Sequence, residues 1–260
     1  MASNPDLSKP LSAVLITKNA GAHLHACLSS LSFCDEIIVV DSGSTDDTAA
    51  IASAFGATFV YQAWLGFGPQ KQHAVSLARN DWVLCLDADE FVSPELAVSI
   101  RQALAQGTHL VYRMPRCNRF MGRWLKHGEG YPDYNVRLFD RRHAEWSPDA
   151  VHEHVITRQP IGTLTGDLMH DTADTVAAYL DKQNRYTTLQ AGMLIAQGKI
   201  PSVSKMLLSP LLRAFKMLIL RGGWRDGSAG VVHIGIGCFN SFIKYAKARE
   251  LAGQKQEQNS

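Results

Sequence analysis

The sequence has no CxxC pair and no Cys/His spacing suited to a metal, although it holds five cysteines, Cys27, Cys34, Cys85, Cys117 and Cys238. An odd number without a framework argues against a disulfide scaffold and for a reducing compartment. No run reaches the roughly 18 apolar residues that a membrane-spanning helix needs. The opening MASNPDLSKP lacks the basic and then apolar regions of a secretory signal, so the chain is expected to stay in the cytoplasm. No GxGxxG follows the first apolar run, which removes the dinucleotide-binding fingerprint. A nucleotidyltransferase would need a Gly-rich basic loop at the same place to grip a triphosphate, and Thr17-Lys18-Asn19-Ala20 stands there instead. No internal repeat or low-complexity tract is present.

What is there is the composition of a folded protein, 46% hydrophobic and 19% charged. The net charge of +2 conceals a division: residues 1–198 carry 16 Lys/Arg against 21 Asp/Glu, and residues 199–260 carry 10 against 3. An acidic body with a basic tail implies a catalytic domain plus a segment facing something anionic.

Short apolar runs alternate with helical spacings over the first 115 residues. LSAVLIT (11–17), EIIVVD (36–41), ATFVY (57–61) and WVLCLD (82–87) read as buried strands. Between them, 22–31 places Leu24, Cys27, Leu28 and Leu31 at helical spacing, and a second helix is expected from a Ser44 or Thr45 cap with Asp46 and Asp47 in its first turn. A third helix is expected over Pro69–Ala78, and Ser93-Pro94-Glu95 opens a fourth. This tempo predicts an α/β fold with a mostly parallel sheet flanked by helices. Ligands of such sheets bind beyond the carboxyl ends of the strands, which singles out Thr17, Asn19, Asp41 and Asp87 to Glu90. LVYRM, YNVRLF and HEHVIT then read as strands of mixed direction. From about residue 173 the pattern is helical, with Tyr179, Leu180, Tyr186, Leu189 and Met193 as one expected buried face.

Asp87-Ala88-Asp89-Glu90 begins where an uncharged strand surfaces. Three carboxylates within four residues repel one another unless a cation sits among them. Oxygen ligands of this kind suit Mg2+ or Mn2+ bridging nucleotide phosphates; a solvated turn capping the next helix is the plainer alternative. Asp41 can accept hydrogen bonds from a ribose or a pyrimidine N–H, or it can organise the turn Ser42–Ser44.

The run LSAVLITKN, then EIIVVDSGSTDDT, a Gly-Pro-Gln-Lys segment and WVLCLDADE resemble the inverting family 2 glycosyltransferases of the GT-A fold. YPDYNVRLFDRR, VHEHV and GWRDGSAG are similar to the bacterial subgroup that adds a sugar, often glucose, to the inner core of lipopolysaccharide. The resemblance implies a GT-A catalytic domain over 1–172, with a nucleotide-binding half at about 10–105 and an acceptor-binding half at about 106–172, followed by a helical region over 173–255. It implies that Thr17, Asn19, Asp41 and Asp87 line the nucleotide-sugar pocket, with Lys71 near the diphosphate. Asp87 and Asp89 would hold the metal, and His170 is the candidate third ligand. Many relatives carry consecutive aspartates where this chain has Asp41-Ser42. The expected donor is UDP-glucose and the expected acceptor a phosphorylated, lipid-linked saccharide at the cytoplasmic face of the inner membrane, with no role for nucleic acid.

An inverting transfer needs a base opposite the leaving nucleotide. Glu153, between His152 and His154, is the expected base and Asp133 the runner-up. The middle segment is basic (Arg113, Arg116, Arg137, Arg141, Arg142 among others) with aromatic residues interleaved, a composition suited to a phosphorylated sugar acceptor. In the tail, Lys205, Ser209, Arg213 and Lys216 fall within about an 80° arc of a helical wheel whose remainder is apolar. Such a helix can lie in a membrane interface, on the body of the protein or on a second subunit. Pro210 is expected to break or kink it.

Overall fold

A computed structural model describes residues 9–150, 152–171 and 175–258. The opening segment, Val151 of the VHEHV run and the domain boundary expected at 172/173 fall outside these residues. The described chain forms two compact units, 1–117 with 133–171, and 118–132 with 172–260. Segment 118–132 groups with the C-terminal helices.

The first unit begins β1 (Leu11–Thr17), α1 (Gly21–Ser29), β2 (Glu36–Asp41), α2 (Thr48–Ala54), β3 (Thr58–Tyr61), α3 (Phe67–Leu77) and β4 (Trp82–Asp87). It continues with β5 (Glu90–Val92), α4 (Pro94–Gln106) and the long β6 (Val111–Phe120), which runs on into the second unit. There β6 pairs antiparallel with β7 (Arg123–Trp124). Back in the first unit follow β8 (Asp133–Asp140), β9 (Ala144–Trp146), β10 (Val155–Thr157), β11 (Ile161–Thr163) and β12 (Leu168–His170). The main sheet has the order β3-β2-β1-β4-β8-β6-β12-β5. Its first four strands are parallel, whereas β8 pairs antiparallel with both β4 and β6. The chain winds outward from β1 to β3 and then returns to the other side of β1 with β4, which makes the gap between β1 and β4 the switch point of the sheet.

The apolar runs have no polar alternation because both faces are covered. Leu11, Ala13 and Leu15 of β1 pack with Leu24 and Leu28 of α1 and Leu96 and Ile100 of α4. Val14 and Ile16 face the other way, with Ala74 and Val75 of α3 and with Trp146. Ser93 caps α4 as its sequence implies, its hydroxyl accepting from the Leu96 N–H at 3.2 Å.

Helix α2 departs from its expected start. It begins at Thr48, with no side-chain cap at its first turn. Ser44 is drawn instead to Asp41 and to the Asn19 N–H, while Asp46 accepts from the Thr48 and Gly21 N–H groups. The loop after β2 is thereby tied to the loop after β1 rather than wound into helix.

The second unit contains α5 (Val176–Ala196), α6 (Val203–Phe215) with a π-turn over Lys216–Leu220, and α7 (Gly227–Gln258). Helix α6 runs through Pro210 without interruption, so the expected break is absent. The face expected to be buried on α5 is also corrected: Leu180, Tyr186, Leu189 and Met193 are exposed, and Thr187 and Ala191 are the buried positions. Polar contacts with α7 select that face, because Lys247 donates to both Thr187 and Thr188.

Candidate active site

Strand register brings the predicted residues to one edge. Thr17 stands opposite Asp41, and Asp87 stands opposite Ile16, at the carboxyl ends of β2, β1 and β4. Asp41 is nearly buried and accepts from the Thr17 hydroxyl at 2.9 Å, from the Gly43 and Ser44 N–H groups at 2.8 and 2.7 Å, and from the Ser44 hydroxyl. Burial alone would raise its pKa, but these hydrogen bonds outweigh burial and hold the carboxyl below its ordinary range. Four donors fill a carboxylate's accepting capacity. The Asp41 side chain thus organises the loop after β2, at the edge where the nucleotide is expected. Asn19, in left-handed backbone at φ +52°, accepts from the Thr45 N–H at 2.8 Å and completes the same loop-to-loop seam.

Strand β4 ends at Asp87, Ala88 and Asp89 form a turn, and Glu90 starts β5. The acidic motif is thus bent, and its carboxylates diverge. Asp87 meets Lys71 Nζ at 2.9 Å and Arg137 Nη2 at 2.7 Å. Burial would raise the Asp87 pKa, but the two cations hold it well below the usual carboxylate range. Burial likewise opposes the charge on Arg137, and Glu90 and Asp87 overcome it. Glu90 is fully buried, 2.8 Å from Arg137 and 3.4 Å from Arg116, and its second oxygen accepts from the Asp87 N–H at 3.1 Å. Arg116 in turn holds Asp133 at 2.8 Å, and Lys71 holds Glu153 at 2.7 Å. The result is one ladder of alternating sign: Asp133, Arg116, Glu90, Arg137, Asp87, Lys71, Glu153.

Lys71 is not a solvated helix lysine but pairs with Asp87 and Glu153. It is 5% exposed, on the inner face of α3, with its ammonium 4.8 Å from the Trp146 ring centroid. The reach depends on Gly68, where a Cβ would lie 2.0 Å from the Ser147 carbonyl oxygen, so only glycine lets α3 press against the segment before Glu153. His154 turns toward Asp149 at 3.7 Å, and the cation beside Glu153 is Lys71.

Asp89 is placed apart from Asp87. Its carboxylate lies 3.4 Å from His170 Nε2, and its carbonyl accepts from the Asp171 N–H at 2.9 Å. Pairing of β12 with β5, His170 opposite Glu90, delivers the histidine there. One oxygen and one imidazole nitrogen at that separation suit a single divalent ion about 2.1 Å from each. Asp89 is partly exposed, which leaves coordination positions for water and phosphate. Asp87, expected beside Asp89 at the metal, has both oxygens turned to cations, and no group of three acidic, His or Cys side chains is arranged for a metal among the described residues.

Several arginines expected to face an acceptor serve the fold. Arg141 donates to the Ala78 carbonyl and Arg142 pairs with Asp140. Arg137 was legible only as one member of a basic segment. A cation inside the apolar run Val136–Phe139 was the signal that it was destined for a buried carboxylate. Gln70, fully buried, left no such mark; it donates to the Ser42 hydroxyl at 3.1 Å.

The glycosyl transferase family 2 profile matches residues 12–161. Over 258 residues and 96% of both chains, the protein is 30% identical to the lipopolysaccharide core biosynthesis glycosyltransferase LpsC of Rhizobium meliloti (strain 1021). It is 33% identical to a glycosyltransferase of Rickettsia bellii (strain RML369-C), over 95% of this chain and 89% of that one. Among solved structures, S. aureus TarS 1–349 in complex with UDP matches 95% of this chain and 92% of its own at 13% identity, with a TM-score of 0.47. Glucosyl-3-phosphoglycerate synthase from Mycobacterium tuberculosis matches 44% of this chain and only 46% of its own, at 26% identity and a TM-score of 0.37. With more than half its length inside the family profile and a relative alike from end to end, the chain belongs to glycosyl transferase family 2, with the GT-A fold, here a mixed sheet, its first four strands parallel, flanked by helices.

Proposed function

We propose that this glycosyltransferase moves a hexose, glucose from UDP-glucose, with inversion onto a phosphorylated, lipid-linked saccharide of the lipopolysaccharide inner core. The observation that carries the reading is the bent acidic motif at the switch point of the sheet, where Asp87 is neutralised within the protein and Asp89 faces outward beside His170. The relative that acts in lipopolysaccharide core biosynthesis, alike over 96% of both chains, supports the acceptor class. Such work belongs at the cytoplasmic face of the inner membrane.

Asp89 and His170 would hold Mg2+ or Mn2+, which when bound neutralises charge on the diphosphate leaving group. The loops joined through Asp41, Thr17 and Asn19 would receive the nucleotide, and Lys71 offers a cation at the same edge. The acceptor hydroxyl oxygen bonds to the anomeric carbon as the bond from that carbon to the diphosphate breaks, and UDP departs with the electron pair. Lys71 fixes Oε1 of Glu153, so the hydroxyl proton passes to Oε2. Asp133 is second choice, because Arg116 binds it through both Nε and Nη2.

The test is a donor screen that measures UDP release from glucose, galactose, N-acetylglucosamine and mannose nucleotides, with and without Mn2+ or Mg2+. Metal-stimulated release that is greatest with UDP-glucose and lost in Asp89→Ala is expected. Release that ignores both metal and Asp89 would defeat the metal assignment. Glu153→Gln should lose turnover and keep UDP binding; retained turnover would move the base to Asp133.

A further inference from the structure

In the C-terminal unit α6 turns its polar side toward α7. Between α6 and α7, Ser209 meets Ser241 at 3.4 Å, Arg213 donates to Ser241 at 3.2 Å, and Lys205 lies over the Tyr245 ring. Arg213 also pairs with Glu129. Between α5 and α7, Asn240 donates to Gln183 at 2.9 Å, beside the Lys247 contacts described above. The stripe expected to face an anionic partner is therefore largely spent inside the unit. The apolar residues take the surface: no residue of α6 is buried, and Leu207, Leu211, Leu212, Phe215, Ile219 and Leu220 are 53–69% exposed. A helix of a water-soluble domain has the reverse arrangement.

Charge identifies the occupant. From Lys199 to Arg225 the sequence holds six cations and no carboxylate. Lys216 and Arg221, at the two ends of the π-turn, are exposed, and Trp224 beside them is 62% exposed. Apolar side chains fringed by lysine, arginine and tryptophan match an acyl layer below anionic headgroups. A second copy would set one carboxylate-free cationic face against another. No helix among the described residues is long and apolar enough to cross a membrane, so the contact lies in the interface plane.

We propose that α6 and its π-turn dock on an anionic lipid surface, with the leucines and Phe215 among the acyl chains and Lys216 and Arg221 at the phosphates. The inference goes beyond the sugar-transfer reading and needs no donor or acceptor to test. The full chain is sedimented with phosphatidylcholine vesicles, with and without phosphatidylglycerol, at low and high salt. Binding about tenfold or more tighter to the anionic vesicles, weakened by salt, is expected. Leu211→Gln/Leu212→Gln/Phe215→Gln, all at exposed positions, should lower binding at least about tenfold with the helical circular dichroism unchanged. Lys216→Glu/Arg221→Glu should remove the preference for phosphatidylglycerol. Absence of sedimentation, or equal sedimentation of the triple variant, would overturn the proposal. So would a parent dimer that the triple variant dissociates while neither binds vesicles, which would make this face a contact between copies.

Discussion

Replacing Lys71 by methionine keeps the side-chain stem and removes only the charge. Its ammonium lies 2.9 Å from Asp87 and 2.7 Å from Glu153, in a position 5% exposed. Taking one partner out of a buried ion pair costs about 3–5 kcal/mol, because the remaining charge is left uncompensated. Two features reduce that here: Arg137 still pairs with Asp87, and the Asp87 and Glu153 side chains retain 29% and 17% exposure. A destabilisation of about 2–3 kcal/mol is expected, read from urea unfolding midpoints followed by tryptophan fluorescence. The cause is separable. If the cost comes from the stranded carboxylate of Glu153, then Lys71→Met/Glu153→Gln recovers about 1 kcal/mol or more relative to the sum of the single changes. A single variant within about 0.5 kcal/mol of the parent, or a cycle that is additive to that margin, would refute the buried ladder as a linked unit.

Gly68→Ala should destabilise by about 1–3 kcal/mol, although alanine normally favours a helix, because the new Cβ would fall 2.0 Å from the Ser147 carbonyl oxygen. Turnover should fall with it while UDP binding persists, as α3 is pushed from the segment that carries Glu153. Acid should weaken the fold in a defined window. Asp41, Asp87 and Asp140 are all held below the ordinary carboxylate range, with burial opposing and hydrogen bonds or cations prevailing. Their unfolded counterparts take protons near pH 4, so the stabilisation is complete above about pH 5 and is lost as pH falls through that value and below. Unfolding midpoints at pH 7, 4 and 3 measure it, and Asp140→Asn should flatten the slope; equal midpoints across the range would contradict the assignment. Asp89→Asn and His170→Ala should each weaken Mn2+ binding, followed by its paramagnetic signal, at least about tenfold, with the urea midpoint little changed because both groups lie outside the ladder.

The parallel half of the sheet was readable because its strands are buried on both faces and reduce to unbroken apolar runs such as LSAVLIT and WVLCL. The antiparallel half was only partly readable. HEHVIT shortens to Val155–Thr157, because the residues before it are committed to Ser147 and Lys71 rather than to a ladder. The acidic motif could be located but not apportioned. A sequence shows that three carboxylates share four residues; it does not show that a turn at Ala88-Asp89 sends them to different partners. Helical periodicity left the apolar face of α6 open between a membrane interface, the body of the protein and a second subunit, and it gave the apolar face of α5 the ordinary buried orientation. The polar residues that decide both, Gln183 with Asn240 and Ser209 with Ser241, lie 57 and 32 residues apart.

The two carboxylates that compete for the role of base are the two ends of a single structure. Asp133 and Glu153 terminate the ladder, whose contacts run from 2.7 to 3.4 Å and are most deeply buried around Arg137 and Glu90. Inside it, Glu90 is met by Arg137 and Arg116, and Asp87 by Arg137 and Lys71, so each interior carboxylate has two cations. Four carboxylates face three cations, which leaves one negative charge in excess for solvent or a ligand to meet. Asp133 is the most exposed of the four at 40%, followed by Asp87 at 29% and Glu153 at 17%, while Glu90 is not exposed. Arg137 is the central rung and the most buried of the three cations, its Nε has no hydrogen-bond partner, and it alone touches both Asp87 and Glu90. Arg137→Met should therefore release Asp87 and Glu90 together. It should cost more stability than Lys71→Met and disturb both ends at once, whichever of them takes the proton. If Arg137→Met proved the milder change, the two ends would be independent sites, and the choice between Glu153 and Asp133 would rest on each one's own surroundings.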